Sequence, residues 1–187
     1  MTTYIRSLTA AFILSFTAML TLFPCTAQAT SKAKIDQNVN AAIPQLLASS
    51  PAARQLWSEA KAVLVFPSIL KMGFIIGVQG GNGALRVGDV TVGYYNTASA
   101  SYGLQAGIQE FGYALFFMSD SALQYLKKSG GWEIGIGPSI VVVDAGIAKA
   151  LTTTTARKEI YAFFFSQKGL MAGLGLQGSK ITRIDPD

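Results

Sequence analysis

Between Lys61 and Asp89 the chain reads KAVLVFPSILKMGFIIGVQGGNGALRVGD. An apolar run, Val63 to Phe66, stops at Pro67, and a short basic bridge, Ser68 to Met72, leads into Gly73-Phe74-Ile75-Ile76-Gly77-Val78. Gln79-Gly80-Gly81-Asn82-Gly83 then separates two apolar runs. Glycines placed so supply the positive φ that tight turns need, and the stretch predicts a β-hairpin that closes there. The competing reading is a loop that cradles phosphate. That loop needs Gly-Lys-Ser/Thr opening a helix, and neither the lysine nor the helix is present. The residues alone therefore predict a glycine-rich β core and assign it no chemistry.

A chain of 187 residues, half of them hydrophobic and 13% charged, is large enough for one domain with a real core. Low charge and many aromatic residues point away from disorder. The net charge of +5 fits a preference for anionic surfaces. Residues 1–29 read as a signal peptide: Arg6 supplies the leading charge and Leu8 to Phe23 the apolar segment. Ala27-Gln28-Ala29 is a small-x-small site that predicts cleavage before Thr30, which leaves one domain over residues 30–187. Leu22-Phe23-Pro24-Cys25 offers a competing lipoprotein site, although proline stands where a small residue belongs. Cleavage after Ala29 removes the single cysteine, and the chain has no histidine at all.

The processed chain then lacks Ser-His-Asp and Cys-His nucleophile systems, histidine-ligated metals and thiolate zinc sites. Its carboxylates (Glu59, Asp89, Glu110, Asp120, Glu133, Asp144 and Glu159) are scattered, and no spacing pairs two of them. The expectation is a protein that is not an enzyme and needs no cofactor or metal. No nucleic-acid motif occurs, and the basic residues form no single stripe. Gly173-Leu174-Gly175-Leu176-Gln177-Gly178 spells G-x-G-x-x-G, but no helix, strand and acidic residue can follow it before Asp187.

Along the chain, Ile35, Val39, Ile43 and Leu46/Leu47 form one apolar helical stripe. Pro44 predicts a kink or restart, and Ser50-Pro51 an N-cap followed by a second helix to about Ala62. The stripe either docks on a membrane surface or covers the β core. Thr91 to Tyr95 reads as a strand, as does Ser99 to Met118, where Tyr102, Leu104, Ala106 and Ile108 alternate with Gly103, Gln105, Gly107 and Gln109. Ser119 starts a helix that ends at Lys127-Lys128 and Gly130-Gly131. Trp132 to Val143 reads as a bent strand, and Asp144 to Thr155 as a loop or short helix. Ile160 to Phe165 is apolar on both parities, so it is expected to be central and buried on both faces. Leu170 to Leu176 is read as a further strand.

Several segments taken in order resemble the SYLF domain family, known as a lipid-binding domain and through yeast actin-patch proteins. They are Ala60 to Pro67, Lys71 to Phe74, Gly80 to Gly83, Tyr102 to Gly107, Gly135 to Pro138 and Gly169 to Gly178, within a span from Trp57 to Gly178. Gly93 to Asn96 resembles its exported bacterial branch. The resemblance implies a glycine-rich β domain with flanking helices that binds phospholipid headgroups, phosphoinositides in eukaryotic members, some of which also bind actin. An exported bacterial protein would meet neither phosphoinositides nor actin.

The sequence reading is thus an α+β fold: N-terminal helices packed on a glycine-rich, mostly antiparallel bent sheet or partial β-barrel. The expected function is peripheral binding of anionic phospholipids in the periplasm or at the outer membrane, with exposed apolar helix surface adding insertion energy. Lys32, Lys34, Lys71, Lys127, Lys128 and Lys158 are the candidate headgroup contacts. The alternatives are a structural or protein-interaction module and a small lipid carrier with a hollow core.

Overall fold

The computed structural model describes residues 30–143, 147, 158–169, 176 and 178–187, except for the side chains of 74, 75 and 102–106. The signal peptide over 1–29, the loop after Asp144, the strand over Leu170 to Leu176 and the rejected glycine motif lie wholly or mostly outside those residues.

Two helices come first: α1 (Lys32–Ser49) and α2 (Pro51–Trp57). Two very long strands follow, β1 (Ala62–Val87) and β2 (Val90–Phe117), then α3 (Asp120–Lys128). The chain continues with β3 (Trp132–Glu133), β4 (Ile140–Val142), β5 (Ile160–Gly169) and β6 (Lys180–Ile184). The fold is α+β, with helices on a mostly antiparallel, curled half-barrel, as the sequence predicts. β1 pairs with β2 from Ala62↔Phe117 to Val87↔Val90. The other edge of β2 is shared: β6 takes Tyr94 to Ala98, and β5 takes Gln109 to Phe117. Among the described residues, only β4 on β5 is parallel.

The hairpin does not close where the glycine cluster predicts. Gln79 to Gly83 lies inside β1, and the chain turns at Gly88-Asp89, with Gly88 at φ 57°. The cluster serves close approach instead. A strand of 26 residues extends about 85 Å at ~3.3 Å per residue, several times the radius of a domain this size. It must fold back, and a Cβ on Gly81 would overlap the carbonyl oxygen of Ser68. One on Gly83 would overlap the carbonyl of Val65 and lie 2.7 Å from the Phe66 ring. Gly73 and Gly77 meet in the same way at the bend, where a Cβ on Gly73 would stand 2.5 Å from the Cα of Gly77. Register shifts at Phe66/Ile69 and Phe74/Ile76 mark the irregular points. The first also absorbs Pro67, which the sequence reading took as the end of a strand.

Strand alternation gives the sheet two faces. Leu64, Phe66, Ile69, Leu85, Tyr95, Phe111, Tyr113, Leu115 and Phe117 point into the half-barrel, where Leu123, Leu126 and Trp132 close the core. The opposite face carries Val63, Val65, Ala84, Ala114, Phe116, Phe163 and Phe165. Ile35, Val39, Ala42, Leu46, Ala53 and Leu56 of the helices pack on this second face. The amphipathic stripe of α1 therefore covers the β core and is not free for a membrane. α1 runs through Pro44 without restarting, since the ring sits on the exposed side and Asn40, whose carbonyl loses its helical partner, is exposed as well. Ser31, Ser50 and Ser119 cap α1, α2 and α3, each side chain accepting the N–H three residues on. β5 is buried on both faces as expected: Ile160 and Ala162 face the half-barrel, while Tyr161, Phe163 and Phe165 face the helices. Trp132 to Val143, read as one strand, is two short ones, separated at Gly135 and Gly137, both of which take positive φ.

Gly83 and Gly88 separate the two uses of glycine. Gly83→Val should destabilise the protein by about 3 kcal/mol or more, because backbone and an aromatic ring must move. Gly88→Ala has open space and pays only for its left-handed conformation, about 1 kcal/mol. Urea denaturation of the two variants checks this; equal, small losses would mean that β1 does not fold onto itself.

Candidate functional site

The six candidate lysines do not form one cluster. Lys32 and Lys34 lie in the first turn of α1. Lys32 pairs with Asp185 at 3.0 Å, and Lys34 Nζ donates to Gln37 at 3.2 Å. Lys71 is only 9% exposed and lies on the inner face of β1, opposite Gln109. Lys127 and Lys128 stand in solvent at the C-terminal turn of α3, where the helix dipole favours cations. Lys158 is exposed just before β5, and its backbone N–H donates to the Tyr161 hydroxyl.

The sheet adds cations that the sequence reading missed. Lys168 sits opposite Glu110, Lys180 opposite Ala98 and Arg183 opposite Tyr95. The Lys180 stem runs against Gly131, three residues beyond Lys128, so the end of α3 and the start of β6 carry one basic group. Lys-Ile-Thr-Arg-Ile alternates as a strand should, and that pattern is the signal that could have found it. Lys127, Lys128, Lys158, Lys168, Lys180 and Arg183 have no carboxylate within 4 Å among the described residues.

An open cleft of about 380 Å³ lies between the start of α1, the hairpin end and β6. Lys32, Thr91 to Tyr94 and Arg183 to Asp185 line it. The backbone N–H of Lys32 donates to the Asp187 carbonyl at 3.0 Å, which ties the last residue to α1. Beside the cleft, Asp36 of α1 accepts from Thr91 Oγ1 at 2.7 Å and from the Tyr94 hydroxyl at 2.8 Å. Arg86, buried, donates to Thr91 Oγ1 at 2.9 Å and to the Asp89 carbonyl, and its guanidinium stands 4.0 Å from Asp36. Lost hydration, then the hydrogen bond and the charge of Asp36, hold the Tyr94 phenol above its ordinary pKa, against the opposing charge of Arg86. With a donor on each oxygen, this carboxylate is an anchor between helix and hairpin.

Inside the half-barrel the Tyr113 hydroxyl donates to Thr97 at 3.0 Å, and Gln79 donates to the fully buried Ser179 at 3.2 Å. Aromatic side chains fill the rest: Phe66 stacks on Tyr113 at 4.8 Å, and Phe117 lies 6.2 Å from Trp132.

Asp36→Ala should destabilise the protein by about 3 kcal/mol, since it leaves the buried Arg86 without its counter-ion and two hydroxyls without an acceptor. Asp36→Asn keeps one acceptor and should lose less. Chemical denaturation reads both, and a parental midpoint for Asp36→Ala would remove the anchor from this account.

Residues 98–185 match the family model described as "Ysc84: Las17-binding protein actin regulator". The matched stretch takes in β2 from Ala98 onward, α3, β3, β4, β5 and β6. No curated protein matches the chain. The likeness expected from the glycine-rich segments is thus found over residues 98–185, which are similar to the SYLF (Ysc84) family and include β5 and β6, the partners of β2 on its second edge, while β1 and the N-terminal helices lie outside the match.

Proposed function

We propose that this protein is a non-enzymatic binder of anionic phospholipid headgroups at the periphery of a bacterial envelope membrane, in the periplasm or at the outer membrane. The observation that carries this reading is the set of exposed cations with no acidic partner within 4 Å among the described residues. Lys127 and Lys128 at the end of α3, with Lys180 close by on β6, are its densest part. A lysine near an anionic surface contributes about 1 kcal/mol, so a few together give weak, salt-sensitive binding. The similarity of residues 98–185 to the SYLF family supports a binding module rather than a catalyst. The N-terminal residues Met1 to Ala29 support export, with Cys25 as a competing lipid attachment point.

A second reading has its own support. The description of the matched family names a protein that it binds and actin regulation. On that reading the same surface is a protein-interaction module of the envelope, with a partner other than actin. Nucleic acid is not among the proposed partners.

Co-sedimentation of residues 30–187 with phosphatidylglycerol or cardiolipin vesicles, and with neutral ones, tests the first reading. Selective binding that falls steeply between low and physiological salt is expected. Lys127→Glu with Lys128→Glu should weaken it about tenfold or more without unfolding the domain. Absence of binding to either vesicle would leave the protein-interaction reading; unchanged binding by the double variant would move the contact away from α3.

A further inference from the structure

The helix-packed face of the sheet is not covered along its whole length. Beyond Val65 and Ala114 the same face continues past the reach of α1 and α2, around the bend of the hairpin. There it presents Leu70, Met72, Ile76 and Val78 of β1 with Ala100 and Ile108 of β2. Ile76 is 61% exposed and Ile108 64%. Met72 lies directly opposite Ile108, and Val78 opposite Ala100, so the side chains form one surface. The inner face at the same level is polar, with Lys71, Gln109, Gln79, Ser99 and Ser101. The usual order, apolar inside and polar outside, is inverted here.

We propose that this elbow of the hairpin is the part of the protein that enters the acyl region of an anionic bilayer. The proposal rests on the phospholipid reading above and deepens it, since it names the surface that meets the lipid interior. Three observations select a bilayer over other occupants. The patch lies on the outside of a bend whose inner faces touch at Gly81 and Gly83, so it is convex. A fluid moulds itself around a convex apolar surface, whereas a protein partner needs a matching hollow. Among the described residues the outward positions from Met72 to Gly80, with Ala98, Ala100 and Ile108, carry no charge, and the carboxylate of Glu110, opposite Leu70, marks the edge of the patch. Cations stand at both margins, Lys168 beside Glu110 and Lys180 beside Ala98, where headgroup phosphates would lie above an inserted elbow. The polar inner face also gives no reason to add another apolar layer there. Along the elbow β1 and β2 pair with each other, which satisfies the backbone groups on their shared edge.

The test uses the full chain, expressed with its N-terminal segment in a bacterial host, and vesicles of phosphatidylglycerol and phosphatidylethanolamine. Ile76→Trp places a reporter on the elbow, with Trp57 and Trp132 of the parent as background. Lipids brominated along the acyl chain should quench the added emission. Part of the parent's binding should survive about 1 M salt, where charges are screened within about 3 Å. Ile76→Asp with Ile108→Asp, both outside the core, should keep the parental circular dichroism and lower that salt-resistant binding about tenfold or more. If the parent binds anionic vesicles while the I76W reporter is not quenched, the elbow stays in water; the proposal is overturned and the headgroup reading stands. If the parent binds no vesicles, the headgroup reading falls and takes the proposal with it. A parent that is dimeric in solution and made monomeric by the aspartate pair would assign the face to a second copy and overturn the proposal. Should the aspartate pair unfold the protein, quenching of the I76W reporter decides alone.

Discussion

Backbone meeting backbone at glycine is the contact on which the rest of this structure depends. A strand of 26 residues in one domain has to cross itself, and β1 does so where Gly81 and Gly83 let its second half lie against Ser68 and Val65. Any side chain at either position would push the two layers apart. Once the hairpin is folded, its inner faces enclose Phe66, Phe111, Tyr113 and Phe117, and its outer face is divided into a part near the helices and a part at the bend. β2 is the partner of β1, β5 and β6, so every element of the sheet except the short β3 and β4 is held by one strand.

That division decides where function can sit. α1 and α2 spend their apolar residues on Val63, Val65, Ala114, Phe116 and Phe163. α1 is then pinned at its start by Asp36 to the hairpin end and by Lys32 to the last residues of the chain. The apolar surface that remains belongs to the sheet, at the bend, and the free cations belong to α3, β5 and β6. The family match, from Ala98 to Asp185, covers α3, β5, β6 and the β2 side of the bend, and leaves out its β1 side. In this account hydrophobic and electrostatic contributions to membrane binding come from one strand pair and its margins, and the N-terminal helices serve the core.

The helices and the two-faced β5 were legible because each carries its own period and its own punctuation. Ile35, Val39 and Leu46 repeat at helical spacing, Ser50-Pro51 and Ser119 announce a start, and Ile160 to Phe165 is apolar on both parities. The hairpin was legible as a glycine-rich β element but not in its register. Gly80, Gly81 and Gly83 look the same in sequence whether they supply positive φ or make room for another strand. The true turn at Gly88-Asp89 carries the weaker-looking signal. β6 went unread because five residues near the end of the chain give a short alternation. The candidate lysines were chosen by charge, and charge does not say which strand face a residue occupies. Lys71 falls on the inner face, whereas Lys168 and Lys180 fall outside, and Arg183 is exposed on the inner-face parity opposite Tyr95. Which apolar stripe stays bare depends on how far α1 reaches along the sheet, and local pattern holds no information on that.

The most direct measurement is hydrogen–deuterium exchange of the full chain with and without phosphatidylglycerol vesicles. The account predicts slowed exchange in peptides spanning Leu70 to Val78 and Ala98 to Gln109, with a smaller effect around Lys127 to Gly131 and none across the middle of α1, Val39 to Leu46. Protection confined to α1, with the hairpin bend exchanging as it does in buffer, would contradict it and return the membrane contact to the N-terminal helices.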